Sequence, residues 1–341
     1  MRTSLSCALL ALAAAAQAAL PTSGLPSGDF PVAAHASAET FNATKLGRAV
    51  NLAAESDAEN AANSRKVRER LGIDLGKDLR DITILGRMSP AGEPDFCGLL
   101  RGRFDKSKIE SFAASRQVPS RAVAGLKAWE GDRLLKAVLD DPEPDNSKSD
   151  EEFYVVILDG STLLVADQSL LAEAVAAAKA NQPWKHAGLA QAVASAANAW
   201  FVIAADVLAL EKTKAASGAP EDKPSGAKTA NAAIGEGATD IQARVNVDFV
   251  SEAKAKEALA QVQGLLGFAQ LGLMPNPEDS PEDAKKKQDT LQFVQALKFS
   301  GSGTQLNASL DYPVEKAVVA LLSAVAEAKA QAAPAAAPKG R

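Results

Sequence analysis

One stretch of the chain, Phe153 to Ala178, strongly limits what the protein can fold into. Tyr154 to Leu158 is an unbroken apolar run, which is typical of a strand covered on both faces. Asp159-Gly160 then supplies a tight turn, and Thr162 to Ala166 returns as a second strand. From Leu170 onward apolar residues recur at helical spacing, so the helix must pack on the hairpin to leave water. The stretch therefore predicts an antiparallel hairpin covered by a helix.

This order of elements repeats along the chain. Leu297 to Val325 again predicts a hairpin followed by a helix. On a larger scale, RGRFDKSKIESFAAS resembles NVDFVSEAKAKEALAQ, because in each a strand ending in Phe precedes a helix capped by Asp105 or Ser251. The predicted fold class is therefore α+β, with two tandemly duplicated units, each an antiparallel sheet with helices packed on one face.

Changes in composition predict where the units begin and end. The turn-rich segment PTSGLPSG predicts a flexible leader, and the low-complexity end QAAPAAAPKGR predicts a disordered tail. The predicted organisation is a signal peptide over 1–18, the leader over 19–27, a first unit over 28–181, a junction over 182–197, a second unit over 198–330 and the tail over 331–341.

Two runs inside these units predict further elements. Arg133 to Leu139 is a short run rich in apolar residues. It predicts a strand that follows Leu126 to Glu130 around a Gly131-Asp132 turn. The segment after Ser251 predicts a long helix. This helix carries the apolar residues Leu259, Val262, Leu265, Leu266 and Ala269.

The N-terminus carries the most specific functional signal. Arg2 is a positive n-region, Leu5 to Ala16 is an apolar h-region, and Ala16-Gln17-Ala18 is a small-x-small cleavage site. The alternative is a retained anchor or a buried helix, for which the apolar run is short. We therefore expect an exported protein, periplasmic or extracellular, with no transmembrane segment after cleavage.

The cysteine count and the distribution of charge further limit the possible functions of the protein. After cleavage Cys97 is the remaining cysteine, so no internal disulfide can form, and its strand-like setting PDFCGLL favours a buried hydrophobe over a catalytic thiol. The 37 Lys and Arg against 42 Asp and Glu are interspersed. Without a basic field we expect no nucleic-acid binding.

Four motifs in order resemble a group of uncharacterised exported bacterial proteins that carry domains of unknown function. The motifs are LGIDLGKDLRDITILG, GLLRGRFDKSKIE, VVILDGSTLLVADQSLLAEAV and AWFVIAADVLAL. The resemblance covers most of the mature chain and lies in a strand, RGxF, helix step and a LDxxTLLVA, helix step. It implies export and an α+β architecture, and it supplies no catalytic residues.

Candidate chemistry is sparse. His35 and His186 are the two histidines, and with one cysteine they cannot build the usual His/Cys metal sets. His35 could act as a base only if Ser and Asp partners converge on it, whereas PWKHAG favours a solvated or helix-end role for His186. No nucleophile elbow, phosphate loop or HExxH motif occurs. We therefore predict no catalytic residue, no cofactor and no enzyme activity.

Two weaker site candidates remain. The acidic loop after Leu139 is a weak Ca²⁺ candidate, although an EF-hand would need Gly where Asp145 stands, and a solvated loop is the favoured interpretation. Its candidate ligands are Asp140, Asp141, Glu143 and Asp145. Trp184 and Trp200 flank the junction, where they either pack the core or line an apolar groove for a peptide, lipid or partner helix.

These observations favour an exported, non-enzymatic protein with a binding or structural role in the cell envelope. Its expected partners are another envelope protein or an apolar small molecule. Two alternatives stay open, a periplasmic carrier of an apolar ligand and an atypical hydrolase. A continuous apolar hollow would favour the carrier, and a filled core would favour the structural role.

Overall fold

A computed structural model describes residues 20–26, 30–89, 93–140, 153–216, 225–276 and 278–332. The predicted signal peptide and residues 333–341 of the predicted tail lie outside these ranges. Within the described part of the chain, no helix is both long and apolar enough to cross a membrane.

The strands join into a 12-stranded antiparallel sheet. They are β1 (Val32–Ser37), β2 (Leu79–Met88), β3 (Pro94–Gly102), β4 (Ser120–Val123), β5 (Leu126–Glu130), β6 (Phe153–Asp159), β7 (Thr162–Asp167), β8 (Ala199–Asp206), β9 (Ala227–Glu236), β10 (Asp240–Phe249), β11 (Leu297–Ser302) and β12 (Gln305–Pro313). Their spatial order is β11-β12-β10-β9-β8-β1-β2-β3-β7-β6-β5-β4.

Helices occupy the connections between strands. They are α1 (Ala38–Ala43), α2 (Lys45–Ser56), α3 (Ala58–Leu71), α4 (Leu75–Asp78), α5 (Lys106–Ser115), α6 (Gly131–Leu139), α7 (Leu171–Lys179), α8 (Ala187–Ser195), α9 (Val207–Ala216), α10 (Glu252–Gly272), α11 (Pro281–Ala296) and α12 (Val314–Ala332). The predicted caps of α5 and α10 are confirmed, since Asp105 accepts from the Lys108 N–H at 3.0 Å and Ser251 from the Lys254 N–H at 3.3 Å.

The short strand β1 joins the two halves of the chain. His35 pairs with Thr83 of β2 on one side and with Val202 of β8 on the other. The predicted α+β class with antiparallel pairing is confirmed, whereas the expectation of one sheet per unit is corrected to one continuous sheet. Both edges of β1 carry backbone N–H and C=O groups, and pairing with β2 on one side and β8 on the other satisfies them. Tandem duplication of the units stays a prediction.

Helices cover both faces of the first half of the sheet, which corrects the expectation of one covered face. On β6, Val156 belongs to the main hydrophobic cluster with Leu171 of α7, and Ile157 belongs to a second cluster with Ile109 of α5 and Leu134 of α6. Successive strand residues point to opposite faces. The unbroken apolar run of β6 therefore requires cover on each face.

The predicted flexible leader is packed over residues 20–26. Leu25 is 0% exposed and lies in the main cluster. The Gly24 N–H donates to the Gln182 carbonyl at 2.9 Å, and the Trp184 N–H donates to the Thr22 carbonyl at 2.8 Å. These hydrogen bonds and the burial of Leu25 hold the segment against the start of the predicted junction.

The predicted strand over Arg133 to Leu139 is wrong, because these residues belong to α6. Leu134 and Val138, four residues apart, are both buried in the second cluster. A short apolar run fits strand and helix periods alike, and packing against β5 and β6 decides the outcome here.

Candidate functional site

A buried polar cluster lies where β1 and β2 pair. The register sets His35 opposite Thr83, and His35 Nδ1 lies 2.8 Å from Thr83 Oγ1. His35 is 1% exposed, and Thr83 is fully buried. Burial lowers the pKa of His35 to about 4, and Arg101 adds to this shift while Asp81 opposes it. His35 is therefore neutral at neutral pH.

The charged neighbours of His35 belong to the same sheet. Ser37 pairs with Asp81 across β1 and β2, and Asp81 pairs with Arg101 across β2 and β3. Arg101 Nε lies 3.4 Å from Asp81 Oδ1. A hydroxyl, an imidazole and a carboxylate thus come close together, as a hydrolase would require. However, His35, Ser37, Thr83 and Asp81 are all buried.

The second histidine has a structural role. His186 Nδ1 accepts a hydrogen bond from the Leu189 N–H at 3.2 Å, which caps the N-terminus of α8. Partial burial lowers the pKa of His186. The predicted helix-end role is confirmed, and a neutral imidazole is the form that can accept this hydrogen bond.

Asp140 is the one acidic-loop candidate that the structure describes, because Asp141, Glu143 and Asp145 lie outside the described residues. Its carboxylate lies 2.5 Å from Arg70, 3.7 Å from Arg116 and 3.8 Å from Lys66. The hydrogen bond from Arg70 and the nearby cations lower its pKa. Three surrounding cations leave this carboxylate poorly suited to a metal ion.

Arg70 and Lys66 also donate hydrogen bonds to the carbonyl groups at the C-terminal end of α6. Arg70 donates to the carbonyls of Ala137 at 3.1 Å and Val138 at 2.7 Å, and Lys66 donates to that of Leu139 at 2.5 Å. These carbonyls form the last turn of α6, where the helix dipole favours cations. The basic residues late in α3 therefore stabilise the C-terminus of another helix.

The structure assigns the two tryptophans to different clusters. Trp184 is buried in the main cluster, with its ring centroid 6.1 Å from that of His186. Trp200 is partly buried and packs on Phe41 at a centroid distance of 5.1 Å, next to Leu46 and Val50. The two indoles do not share a groove among the described residues.

Helix α10 exposes several large apolar side chains on its surface. Its N-terminal half packs on the sheet, where Ala255 and Leu259 meet Phe249 and Leu306. Further along α10, three large apolar side chains point into solvent. The exposed fractions are 69% for Leu265, 77% for Phe268 and 65% for Leu271.

Two glycines complete this surface. Gly264 and Gly272 are exposed on the same side of α10, and a Cβ added to either would meet nothing within 4 Å. We call Gly264, Leu265, Phe268, Leu271 and Gly272 the α10 stripe. The sequence indicates an uncharged surface here, because no charged residue occurs from Ala258 to Pro277. Apolar periodicity alone does not reveal whether such a face is covered.

The rim of the stripe is charged. Lys254 and Lys256 stand in the first turns of α10, and the loop after it carries Glu278 and Asp279. Lys287 of α11 lies 2.7 Å from Asp279 and fixes the loop to the start of the second helix. An apolar surface with a polar rim is the usual form of a protein interaction site.

The chain shows distant similarity to solved structures. No family model and no curated protein matches the chain. Among solved structures, crystal form I of TP0453 is 9% identical with a TM-score of 0.42, over 91% of this chain and 99% of that chain. Form III is 10% identical with a TM-score of 0.44, over 90% and 99%.

Proposed function

We propose that the protein is an exported, non-enzymatic component of the cell envelope that acts by binding another protein through the α10 stripe. The observation that carries the proposal is the exposure of Leu265, Phe268 and Leu271 on one face of one helix. Exposed apolar area is unfavourable by about 25 cal/mol per Å² relative to burial. A binding partner would remove this penalty.

The state of the reactive side chains supports a non-enzymatic role. His35 is sealed inside the sheet, and His186 is engaged as a helix cap. Cys97 is buried, and burial raises the pKa of its thiol to about 12. A thiol in that state is neither a nucleophile nor a metal ligand at neutral pH.

The character of the interior favours protein binding over the carrier alternative. The main cluster is continuous from Leu25 through Val156 to Val202 and covers one face of the sheet from β5 to β9 in the spatial order of the strands. A groove of about 480 Å³ beside α6 is lined by Arg116, Arg133, Lys136 and Asp140, among others. Charged walls of this kind suit an apolar ligand poorly.

Export rests on the N-terminal segment and on the resemblance to exported proteins that carry domains of unknown function. If the proposal holds, chain recovered from the envelope fraction begins at Ala19, as mass spectrometry of its N-terminal peptide would show. Recovery of a chain that keeps Met1 from the cell interior would overturn the export part.

Site-specific photo-cross-linking in the native cells tests the binding part. A photo-reactive phenylalanine analogue replaces Phe268, and the same analogue replaces Leu52 of α2 as a matched control, since Leu52 is also exposed and apolar. The expected result is a discrete protein adduct at position 268 and none at position 52. Absence of an adduct at 268, or equal labelling at both positions, would overturn the proposal.

A further inference from the structure

We propose that the partner of the α10 stripe is a second copy of this chain, bound in antiparallel orientation with Phe268 at the two-fold axis. This inference rests on the proposed function, because it names the occupant of the same surface. A two-fold interface uses one patch twice, so that residue i contacts residue j and j contacts i. The stripe meets that requirement in both its sequence and its exposure.

The order of residues is symmetric about Phe268. Leu265 and Leu271 lie three residues to either side, and Gly264 and Gly272 lie four residues to either side. All five residues are exposed. Leu266 and Gln270, two residues to either side, are both half-buried and lie on the opposite side of the helix, while of the adjacent residues Gly267 is half-buried and Ala269 is exposed.

Helical geometry brings large residues opposite small ones. At about 100° per residue, Leu265 and Gly272 lie on one flank of Phe268, and Gly264 and Leu271 lie on the other. In an antiparallel pair each flank meets the same flank of the other copy with its direction reversed. Leu265 therefore faces Gly272 of the second copy, Leu271 faces its Gly264, and the two Phe268 rings meet at the centre.

Gly264 has no explanation within one chain. Glycine is the least favourable residue in a helix interior after proline. Yet Gly264 lies inside α10, with nothing within 4 Å of an added Cβ, whereas Gly272 is the last residue of the helix, a place where glycine is common. Close approach of a second backbone, with a leucine seated over Gly264, supplies the missing reason.

The exposed area fits a reversible dimer. The three large side chains and the glycine backbone expose on the order of 500 Å² per copy, so the pair removes about 1,000 Å², near the lower limit of specific interfaces. The same side of α10 is also exposed at Glu257 and Gln261, which leaves the approach open along the helix. We expect a dissociation constant on the order of micromolar.

Charge favours the antiparallel orientation over the parallel one. An antiparallel pair brings the first turns of α10, where Lys254 pairs with Glu257 at 2.9 Å and Lys256 with Glu252 at 2.7 Å, towards the acidic Glu278 and Glu282 end of the other copy. A parallel pair would set the two acidic loops side by side. Like charges in proximity oppose association, and antiparallel helix dipoles favour it.

Sedimentation equilibrium of the mature chain, residues 19–341, tests the association. Across about 1 to 200 μM, wild type is expected to pass from monomer to dimer. Phe268→Glu would shift the midpoint at least about 30-fold, because it places like charges at the two-fold axis. Leu52→Glu, an exposed apolar site outside the stripe, is the matched control and leaves the midpoint unchanged. Unaltered thermal unfolding would show that both variants fold.

Disulfide cross-linking tests the orientation. Phe268→Cys is expected to form a covalent dimer under mild oxidation, because position 268 meets itself at the axis. Gly264→Cys is not expected to form a covalent dimer, because the two copies of residue 264 lie about 12 Å apart along the helices, beyond the reach of a disulfide. The reverse result would overturn the antiparallel arrangement. Cys97 is buried and does not compete.

The experiments distinguish a failure of the proposed dimer from a failure of the proposed protein binding. A wild type that stays monomeric at about 200 μM overturns the second copy as partner. If the cellular adduct at 268 is then a different protein, the proposed function stands without the inference. If the monomer instead floats with phosphatidylglycerol vesicles in a Phe268-dependent manner and no protein adduct forms, both are overturned in favour of a lipid surface.

Discussion

His35 Nδ1 lies 2.8 Å from Thr83 Oγ1 across the pairing of β1 with β2, at a point where both side chains are buried. The pair sits at the seam between the two halves of the chain, since β1 also pairs with β8. His35 Nε2 has no hydrogen-bond partner in the described part of the structure. A neutral imidazole at this seam makes folding sensitive to acid.

The protein is expected to lose stability as the pH falls from 6.5 towards 4. The folded state keeps His35 neutral down to about pH 4, whereas the imidazole in the unfolded chain binds a proton near its ordinary pKa of 6.5. Between these values the unfolded state holds more protons, and the loss amounts to about 3 kcal/mol. Urea unfolding at intervals from pH 7.5 to 4 measures it.

The variant His35→Gln isolates this contribution. It removes the titrating group, so the difference in unfolding free energy between wild type and variant shrinks as the pH falls through this window. Carboxylates titrate alike in both proteins and cancel in the comparison. Parallel stability curves for the two proteins from pH 6.5 to 4 would contradict a depressed histidine pKa.

Removal of the Thr83 hydroxyl should destabilise the seam. Thr83→Val keeps the shape of the side chain but leaves His35 Nδ1 without its partner, which costs about 1–3 kcal/mol in a buried setting. Thr83→Ser retains the hydroxyl and is the matched control, with a smaller loss from one methyl group. If the valine variant is as stable as wild type in urea, the hydrogen bond contributes nothing to folding.

Cys97 should be inert in the native protein. Burial raises the pKa of its thiol to about 12, so at pH 8 only about one molecule in ten thousand carries the reactive thiolate. A thiol reagent such as dithiobis-nitrobenzoate is expected to label it fully in concentrated urea and hardly at all without denaturant. Leu52→Cys supplies an exposed thiol for comparison. Rapid native labelling of Cys97 would show an open path to the core.

Local patterns could be predicted from the sequence, and long-range pairing could not. The hairpin and helix of residues 153–178 formed as expected, because turn residues and apolar spacing act over a few neighbours. The position of β1 between β2 and β8 depends on segments far apart in the chain, which no local pattern encodes. The exposure of Leu265 likewise depends on which other elements pack against α10, and the local sequence does not encode that.

Two glycines in helices should respond in opposite ways to alanine. In α2, a Cβ at Gly47 would overlap the Phe41 carbonyl oxygen, so Gly47→Ala forces α1 and α2 apart. We expect a loss of about 1–3 kcal/mol, as for overpacked sites. In α10, a Cβ at Gly264 meets nothing within 4 Å, so Gly264→Ala should stabilise the monomer by about 1 kcal/mol through helix propensity.

The same alanine at position 264 should weaken self-association while it stabilises the monomer, because its methyl group occupies the space that Leu271 of the second copy needs. Urea unfolding at about 1 μM, where the monomer prevails, and sedimentation at about 100 μM separate the two effects. A variant that gains stability and dimerises as well as wild type would mean that Gly264 is not part of the interface. A variant that loses stability as a monomer would mean that a neighbouring group already contacts this position.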